Sequence, residues 1–181
     1  MPRNWVVVPT CLPTIIRRCH ACRSERFRTT GKFRVNANHK LLDAWLLALC
    51  TTCGDTIKLT VFERRRVRSV PSGLLHRLHH NDPGLAADLL QDPVVRRRNR
   101  IGLDWDDAWR LDVGAPADPD GALDVVVRFA ARIPVRPARL IADGLGLSRA
   151  EVEKLVADEG LVVAVPLGGK RSGDFSFTLR R

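Results

Sequence analysis

The chain has 181 residues, 45% of them apolar, and a formal net charge of +10, enough for one ordinary domain or two small ones with real cores. No apolar run approaches the length of a membrane span, and the start lacks a basic-then-apolar secretory layout, so the expectation is a soluble, cytoplasmic protein with reduced thiols and no membrane partner. Of the 30 basic residues 25 are arginine, a skew that genome composition alone can produce, so the charge is not by itself a nucleic-acid signature.

The first part, residues 1–70, is strand-like. "NWVVVP", "KFRVNAN", "DAWLLALC" and "TIKLTVFERR" are β-branched or aromatic runs punctuated by Gly, Asn and Pro. Residues 71–113 read as a short helical segment. "PSGLLHRLHHND" sets Leu74, Leu75 and Leu78 on one face, and "DPGLAADLLQD" begins with Asp82 as N-cap and Pro83 at the first helical position. "DWDDAW" reads as a helix N-terminus carrying two core tryptophans, Trp105 and Trp109. The Pro/Gly/Asp stretch at 114–122 has no periodicity and is expected to be a linker or loop.

The last part, 123–181, starts with a strand, "LDVVVRFA", and continues through two helices to two strands. Pro137 stands early in the first helix, which Gly144 or Gly146 ends. Ser148 and Glu151 form a capping box for the second, and Gly160 is expected to close it in the left-handed conformation. "GGKRSG" reads as a hairpin turn, since it lacks the spacing of a phosphate loop.

Four of the five cysteines form two matched pairs, Cys19/Cys22 and Cys50/Cys53, with 27 residues between the pairs. In a reducing compartment such pairs read as metal ligands before disulfides. Zn²⁺ favours four tetrahedral thiolates in structural sites, and four sulfurs leave no position for a reactive water. The expectation is one structural Zn²⁺ held by a ribbon of two hairpins, with an iron–sulfur cluster as the rival occupant. His20 points away from the metal, and Cys11 is expected to be a small buried residue. His76, His79 and His80 have helical spacing but no accompanying Glu, so they read as a solvated face.

The net charge is concentrated near the cysteines. Residues 1–70 carry 14 basic and 4 acidic side chains, residues 71–131 carry 7 and 10, and residues 132–181 carry 9 and 6. The runs "RRRVR" (64–68) and "RRRNR" (96–100) are of a kind that can follow a phosphate backbone. At 6% aromatic residues with no tyrosine, a base-stacking sheet of the RNA-recognition type is disfavoured.

Two resemblances add to this reading. The core "FRVNANHKLLDAW", Phe33 to Trp45, within "WVVVP…CHAC…CTTC", resembles a family of small bacterial proteins catalogued only as a domain of unknown function. "RPARLIADGLGLSRAEVEKLVADEGLVVAV", 136–165, is similar to the S-four type RNA-binding module, with Arg136, Leu140, Ser148, Arg149, Leu155, Val156, Gly160 and Val162 to Val165 in register. Pro137 and Ala138 depart from its Leu-Asp pair. This second resemblance implies that Arg136, Arg139, Arg149, Lys154, Lys170 and Arg171 face structured RNA, ribosomal or transfer.

The sequence therefore predicts an α+β protein: an antiparallel zinc ribbon, a helical middle, and a helix pair with a small sheet. Its expected function is non-catalytic binding of structured RNA, ribosomal or transfer, through Arg64, Arg65 and Arg66 on the ribbon together with the helix-pair residues. A protein-interaction adaptor stapled by zinc, with a protein partner, is the first rival, and an enzyme with an unseen site the second. Nothing in the residues sets an oligomeric state.

Overall fold

Alternation of side chains across a strand decides which residues of this chain become core. The computed structural model describes residues 2–114 and 122–180; most of the expected linker, 115–121, lies outside them. In chain order the strands and helices begin with β1 (Arg3–Pro9), β2 (Thr14–Ile16), β3 (Arg26–Arg28), β4 (Phe33–Asn38), β5 (Leu41–Cys50) and β6 (Thr56–Arg66). A 3-10 turn then leads to α1 (Ser72–His79), α2 (Pro83–Gln91), α3 (Pro93–Asn99), β7 (Gly102–Asp104) and β8 (Trp109–Asp112). The remainder is β9 (Leu123–Phe129), α4 (Pro137–Leu145), α5 (Arg149–Ala157), β10 (Leu161–Val163) and β11 (Phe175–Leu179). The protein is thus α+β, and among the described residues no helix is long and apolar enough to cross a membrane.

The chain separates into two compact units, Leu12–Asp104 and a second built from residues 1–11 with 105–181. These are not the boundaries expected at 70, 113 and 123. The strand at Arg3–Pro9, grouped with the cysteines by sequence, pairs in parallel with β9 (Arg3 opposite Val125, Val7 opposite Phe129) and antiparallel with β8. Its Trp5 and Val7 are buried in that second unit's core. Nor is the middle helical throughout. Helices fill 72–99, but 102–112 contains the two short strands β7 and β8. "DWDDAW" forms a tight turn rather than a helix start, closed by Ala108 N–H donating to the Trp105 carbonyl at 3.0 Å, with Trp105 buried and Trp109 half-buried.

In Leu12–Asp104 the strand order is β4-β5-β3-β2-β7, and β6 pairs with β5. Every pairing in this sheet is antiparallel. Along β5 the even positions Leu42, Ala44, Leu46, Ala48 and Cys50 are buried, while Leu41, Asp43, Trp45, Leu47 and Leu49 lie on the opposite face. Leu78 from α1 and Leu85, Ala86 and Leu90 from α2 join the buried face. Each such leucine contributes roughly 1.5–3 kcal/mol. The odd positions of β5 on the other face remain partly accessible to solvent, a common outcome for antiparallel sheets.

Local signals set the helix ends. Asp82 accepts from Leu85 N–H at 2.8 Å and Pro83 follows it. Its carboxyl is held below the usual range, chiefly by Arg77 and then by the Leu85 amide. His76 and His80 stack with centroids 4.0 Å apart on the exposed face of α1.

The second unit has the strand order β10-β11-β9-β1-β8. Trp5 meets Phe177 edge-on, centroids 5.1 Å apart, and Leu140, Ile141 and Val152 from α4 and α5 are fully buried. Pro137 opens α4 and Gly146, at φ 69°, ends it. Ser148 and Glu151 form the reciprocal capping box of α5. Gly160 does not close that helix in the left-handed region; Glu159 takes that conformation instead, at φ 55°. "GGKRSG" is part of a longer β10–β11 connection, in which Arg171 makes an isolated bridge to Val135.

Candidate metal centre and basic sheet face

Each cysteine pair sits at the turn of an antiparallel connection. Cys19 and Cys22 lie between β2 and β3, where Arg17 N–H donates to the Glu25 carbonyl at 2.9 Å and Cys19 N–H to the Ser24 carbonyl at 2.7 Å. Cys50 ends β5 and Cys53 lies in the turn to β6, where Cys50 N–H donates to the Asp55 carbonyl at 2.8 Å. Both pairs are followed by a left-handed residue, Arg23 at φ 64° and Gly54 at φ 75°, which reverses the chain around the sulfurs. Because β3 pairs with β5, Phe27 opposite Cys50, the two turns are brought side by side.

The four sulfurs lie within 4.8 Å of one another, a group that can hold a metal ion. Cys19 Sγ is 3.7 Å from Cys53 Sγ, and Cys22 Sγ is 3.5 Å from Cys50 Sγ. These spacings approach the ~3.8 Å between sulfurs of a tetrahedron with metal–sulfur bonds of about 2.3 Å. All five cysteines are free thiols, and Cys11, expected to be buried, is exposed.

The thiols do not ionise alike without a cation among them. Cys50 is lowered to about 6, first by the Cys53 backbone amide and then, against burial, by the Thr52 amide and the Cys22 and Cys53 thiols. Cys53 is pushed up to about 12: the Asp55 amide pulls it down, but the Cys22 thiol, burial, and the Cys50 and Cys19 thiols outweigh that pull. Cys22 is raised as well, the Ser24 amide and Cys53 being outweighed by burial and by Cys50 and Cys19. Four crowded sulfurs become thiolates together only around a positive ion.

The arginines singled out by sequence are divided between the two units. Arg64 sits in a bulge of β6, at φ 50°, with its backbone N–H donated to Asp43 Oδ1 at 2.6 Å. Arg65 packs its guanidinium 5.7 Å from the Phe62 ring centroid, and Arg66 is exposed. In the other unit Arg136, Arg149, Lys154 and Arg171 are exposed. Arg139 and Lys170 are instead brought together on Asp106, at 3.9 and 3.4 Å, with Arg139 also 3.8 Å from Asp143 and 5.4 Å over the Trp109 ring. Within the run at 96–100, Arg98 donates to the Val61 carbonyl at 3.1 Å and Asn99 is buried, while Arg97 and Arg100 are exposed.

Sequence reasoning missed the open face of the Leu12–Asp104 sheet. In register across it stand Arg28 opposite Leu49, Arg34 opposite Trp45, Lys58 opposite Leu47 and Arg66 opposite Leu41. The period-two row Arg34, Asn36, Asn38 in "FRVNAN" was the available signal, since one-residue alternation is what places side chains on one face.

No curated protein and no solved structure matches the chain. The family described as "Protein of unknown function (DUF1062)" matches residues 35–166, a span that runs from β4 through β10 and includes Cys50 and Cys53. The chain belongs to that DUF1062 family.

Proposed function

We propose that this is a non-catalytic RNA-binding protein whose Leu12–Asp104 unit is stapled by one structural Zn²⁺ in a ribbon of two hairpins. The observation that carries the reading is the convergence of Cys19, Cys22, Cys50 and Cys53 in a sheet whose open face is basic. Thiolate is zinc's preferred structural donor, and four protein ligands complete its sphere without an open position for substrate or water. Zinc bound there would tie the β2–β3 turn to the β5–β6 turn and supply folding free energy to a small sheet.

The RNA side rests on charge that is exposed rather than consumed. Residues 1–70 hold 14 basic and 4 acidic side chains, and Arg28, Arg34 and Arg66 are in no ion pair among the described residues. The similarity to the S-four type module adds Arg136, Arg149, Lys154 and Arg171. Arg149 opens α5, where helix-end amides and a guanidinium can hold one phosphate. Arg139 and Lys170 contribute less, since Asp106 and Asp143 already offset their charge.

Elemental analysis of the purified protein together with RNA titration tests the reading. About one equivalent of zinc per chain is expected from the four-ligand site, with affinity for RNA that falls steeply as salt rises. Iron in place of zinc overturns the metal assignment. A zinc-loaded protein indifferent to RNA would leave the adaptor reading, for which an open cleft of about 670 Å³, with Phe62, Leu74 and Leu89 beside Glu63, Asp92 and Arg98 in its lining, offers a surface.

A further inference from the structure

The geometry points to a specific docking surface: we infer that the open face of the β4–β5–β6 sheet binds an unpaired RNA strand, with a base stacked on Trp45. The inference rests on the RNA reading above and gives it a site. Trp45 stands mid-strand on the face opposite the core, half-buried, with Arg34 as its cross-strand neighbour on β4 and Thr60 on β6. Lys58 Nζ lies 5.2 Å from its ring centroid, a cation that an incoming base displaces from the ring onto its own flanking phosphate. A base stacked against that ring places its flanking phosphates beside Lys58 and Arg34.

Charge complementarity favours a polyanion along this face. Arg28, Arg34, Lys58 and Arg66 are all exposed. The carboxylates on the same side keep their charge, but each already has a protein partner, Asp104 of β7 pairing with Arg26 at 3.0 Å. Asp43 accepts the Arg64 N–H at 2.6 Å, and Glu63 accepts from the Trp45 indole at 3.4 Å and from the Thr60 hydroxyl at 3.3 Å. At the Leu41 end the face runs into an open cleft of about 720 Å³ lined by His39, Lys40, Arg66 and Arg68 with Leu41 and Val67, and no acidic residue. From Leu49 to Leu41 the strand covers roughly 27 Å at about 3.4 Å per residue. That length suits a short single strand, of the order of the 4–16 nucleotides that small single-strand-binding folds occupy.

Two features select unpaired RNA over duplex and over DNA. A duplex hides its base faces, so an aromatic platform has nothing to stack on. Asn36 and Asn38, exposed in the same row as Arg34, carry amides that both donate to and accept from a ribose 2′-hydroxyl. One tryptophan can suffice here because stacking is sequence-tolerant and the surrounding cations carry the rest.

The test uses the zinc-loaded full chain and fluorescence titrations at several salt concentrations. The probes are a short oligouridine, a paired hairpin RNA and the matching deoxyoligonucleotide. Oligouridine should bind tightest and quench tryptophan emission. Trp45→Phe should abolish that quenching with a severalfold loss of affinity, and Trp45→Ala should weaken binding roughly tenfold or more. The triple change Arg28→Ala, Arg34→Ala, Lys58→Ala should flatten the salt slope by about 2 units, at about 0.7 per phosphate contact on a single strand. Zinc content and circular dichroism serve as the fold control for each variant. RNA binding untouched by all of these variants overturns the site while the RNA reading stands. No binding to any RNA overturns both. Equal affinity for the hairpin, or for the deoxyoligonucleotide, overturns the choice of unpaired RNA.

Discussion

Asn99 holds the peptide groups of Thr60 on both sides: the Thr60 N–H donates to Asn99 Oδ1 at 2.7 Å, and Asn99 Nδ2 donates to the Thr60 carbonyl at 3.0 Å. The same Nδ2 reaches the Val95 carbonyl at 2.9 Å. A side-chain amide thereby does for the outer edge of β6 what a further strand would do, and Arg98 continues the pattern at Val61.

Asn99→Ala should therefore destabilise the Leu12–Asp104 unit by about 2 kcal/mol, because it strips partners from part-buried backbone groups. Urea unfolding measures the loss, and hydrogen exchange at Thr60 should accelerate. An unchanged midpoint would show that water replaces the amide at no cost.

Gly144 faces the ring of Trp5 so closely that a Cβ there would overlap Cζ3 and Cη2 of the indole, and would meet Leu111 Cδ2 at 2.9 Å. Gly to Ala in an exposed helix interior normally stabilises by up to about 1 kcal/mol. Here the sign should reverse, with a cost of about 1–3 kcal/mol for forced repacking. Thermal unfolding gives the sign, and the near-ultraviolet tryptophan signal should change with it.

Cys50→Ser should unfold the Leu12–Asp104 sheet and release the metal, whereas Cys11→Ser should do neither, since Cys11 is exposed and outside the sulfur cluster. A strong chelator should reproduce the first effect on the unaltered protein. Circular dichroism with protease resistance reads both.

The capping box of α5 should give this helix an acid-sensitive end. Glu151 Oε2 accepts the Ser148 N–H at 2.7 Å, and that backbone hydrogen bond, then the Ser148 side chain, holds its carboxyl below the ordinary glutamate range. The fold favours the ionised form, so the contribution is fully present above the ordinary carboxylate value. It is lost as pH falls through the lowered one. Hydrogen-exchange protection in 149–157, taken relative to the intrinsic rate at each pH, should fall on acidification to about pH 3, and the fall should be blunted in Ser148→Ala, which at neutral pH costs about 1 kcal/mol.

Much of the local structure is legible in the residues. The Asp82–Pro83 start of α2, the Ser148–Glu151 box and the Gly146 stop depend on groups three or four positions apart, and each forms as expected. "DWDDAW" and Gly160 depart from expectation for a complementary reason. Acidic residues before an apolar one suit a turn as well as a helix start, and Glu159 takes the left-handed position that glycine usually fills. Within the candidate site, two pairs of cysteines announce a metal centre, but "FRVNAN" carries its row of Arg34, Asn36 and Asn38 without saying which face will be covered.

The sequence by itself determined what is settled within one turn or one strand: the caps, the strand-forming runs, the cysteine pairs and the excess of positive charge in residues 1–70. Tertiary structure alone decided that Arg3–Pro9 joins Leu123–Phe129 rather than its cysteine-bearing neighbours, that Asn99 closes the edge at Thr60, and that Cys19 lies beside Cys53. It also decided that Asp106 captures Arg139 and Lys170 while Arg34 stays exposed. The physical reason is that caps and turns draw their free energy from neighbours in the chain, whereas long-range pairing is selected by shared burial. Closing a longer loop costs only about 0.6 kcal/mol per doubling of its length, so proximity in sequence scarcely constrains which strands meet.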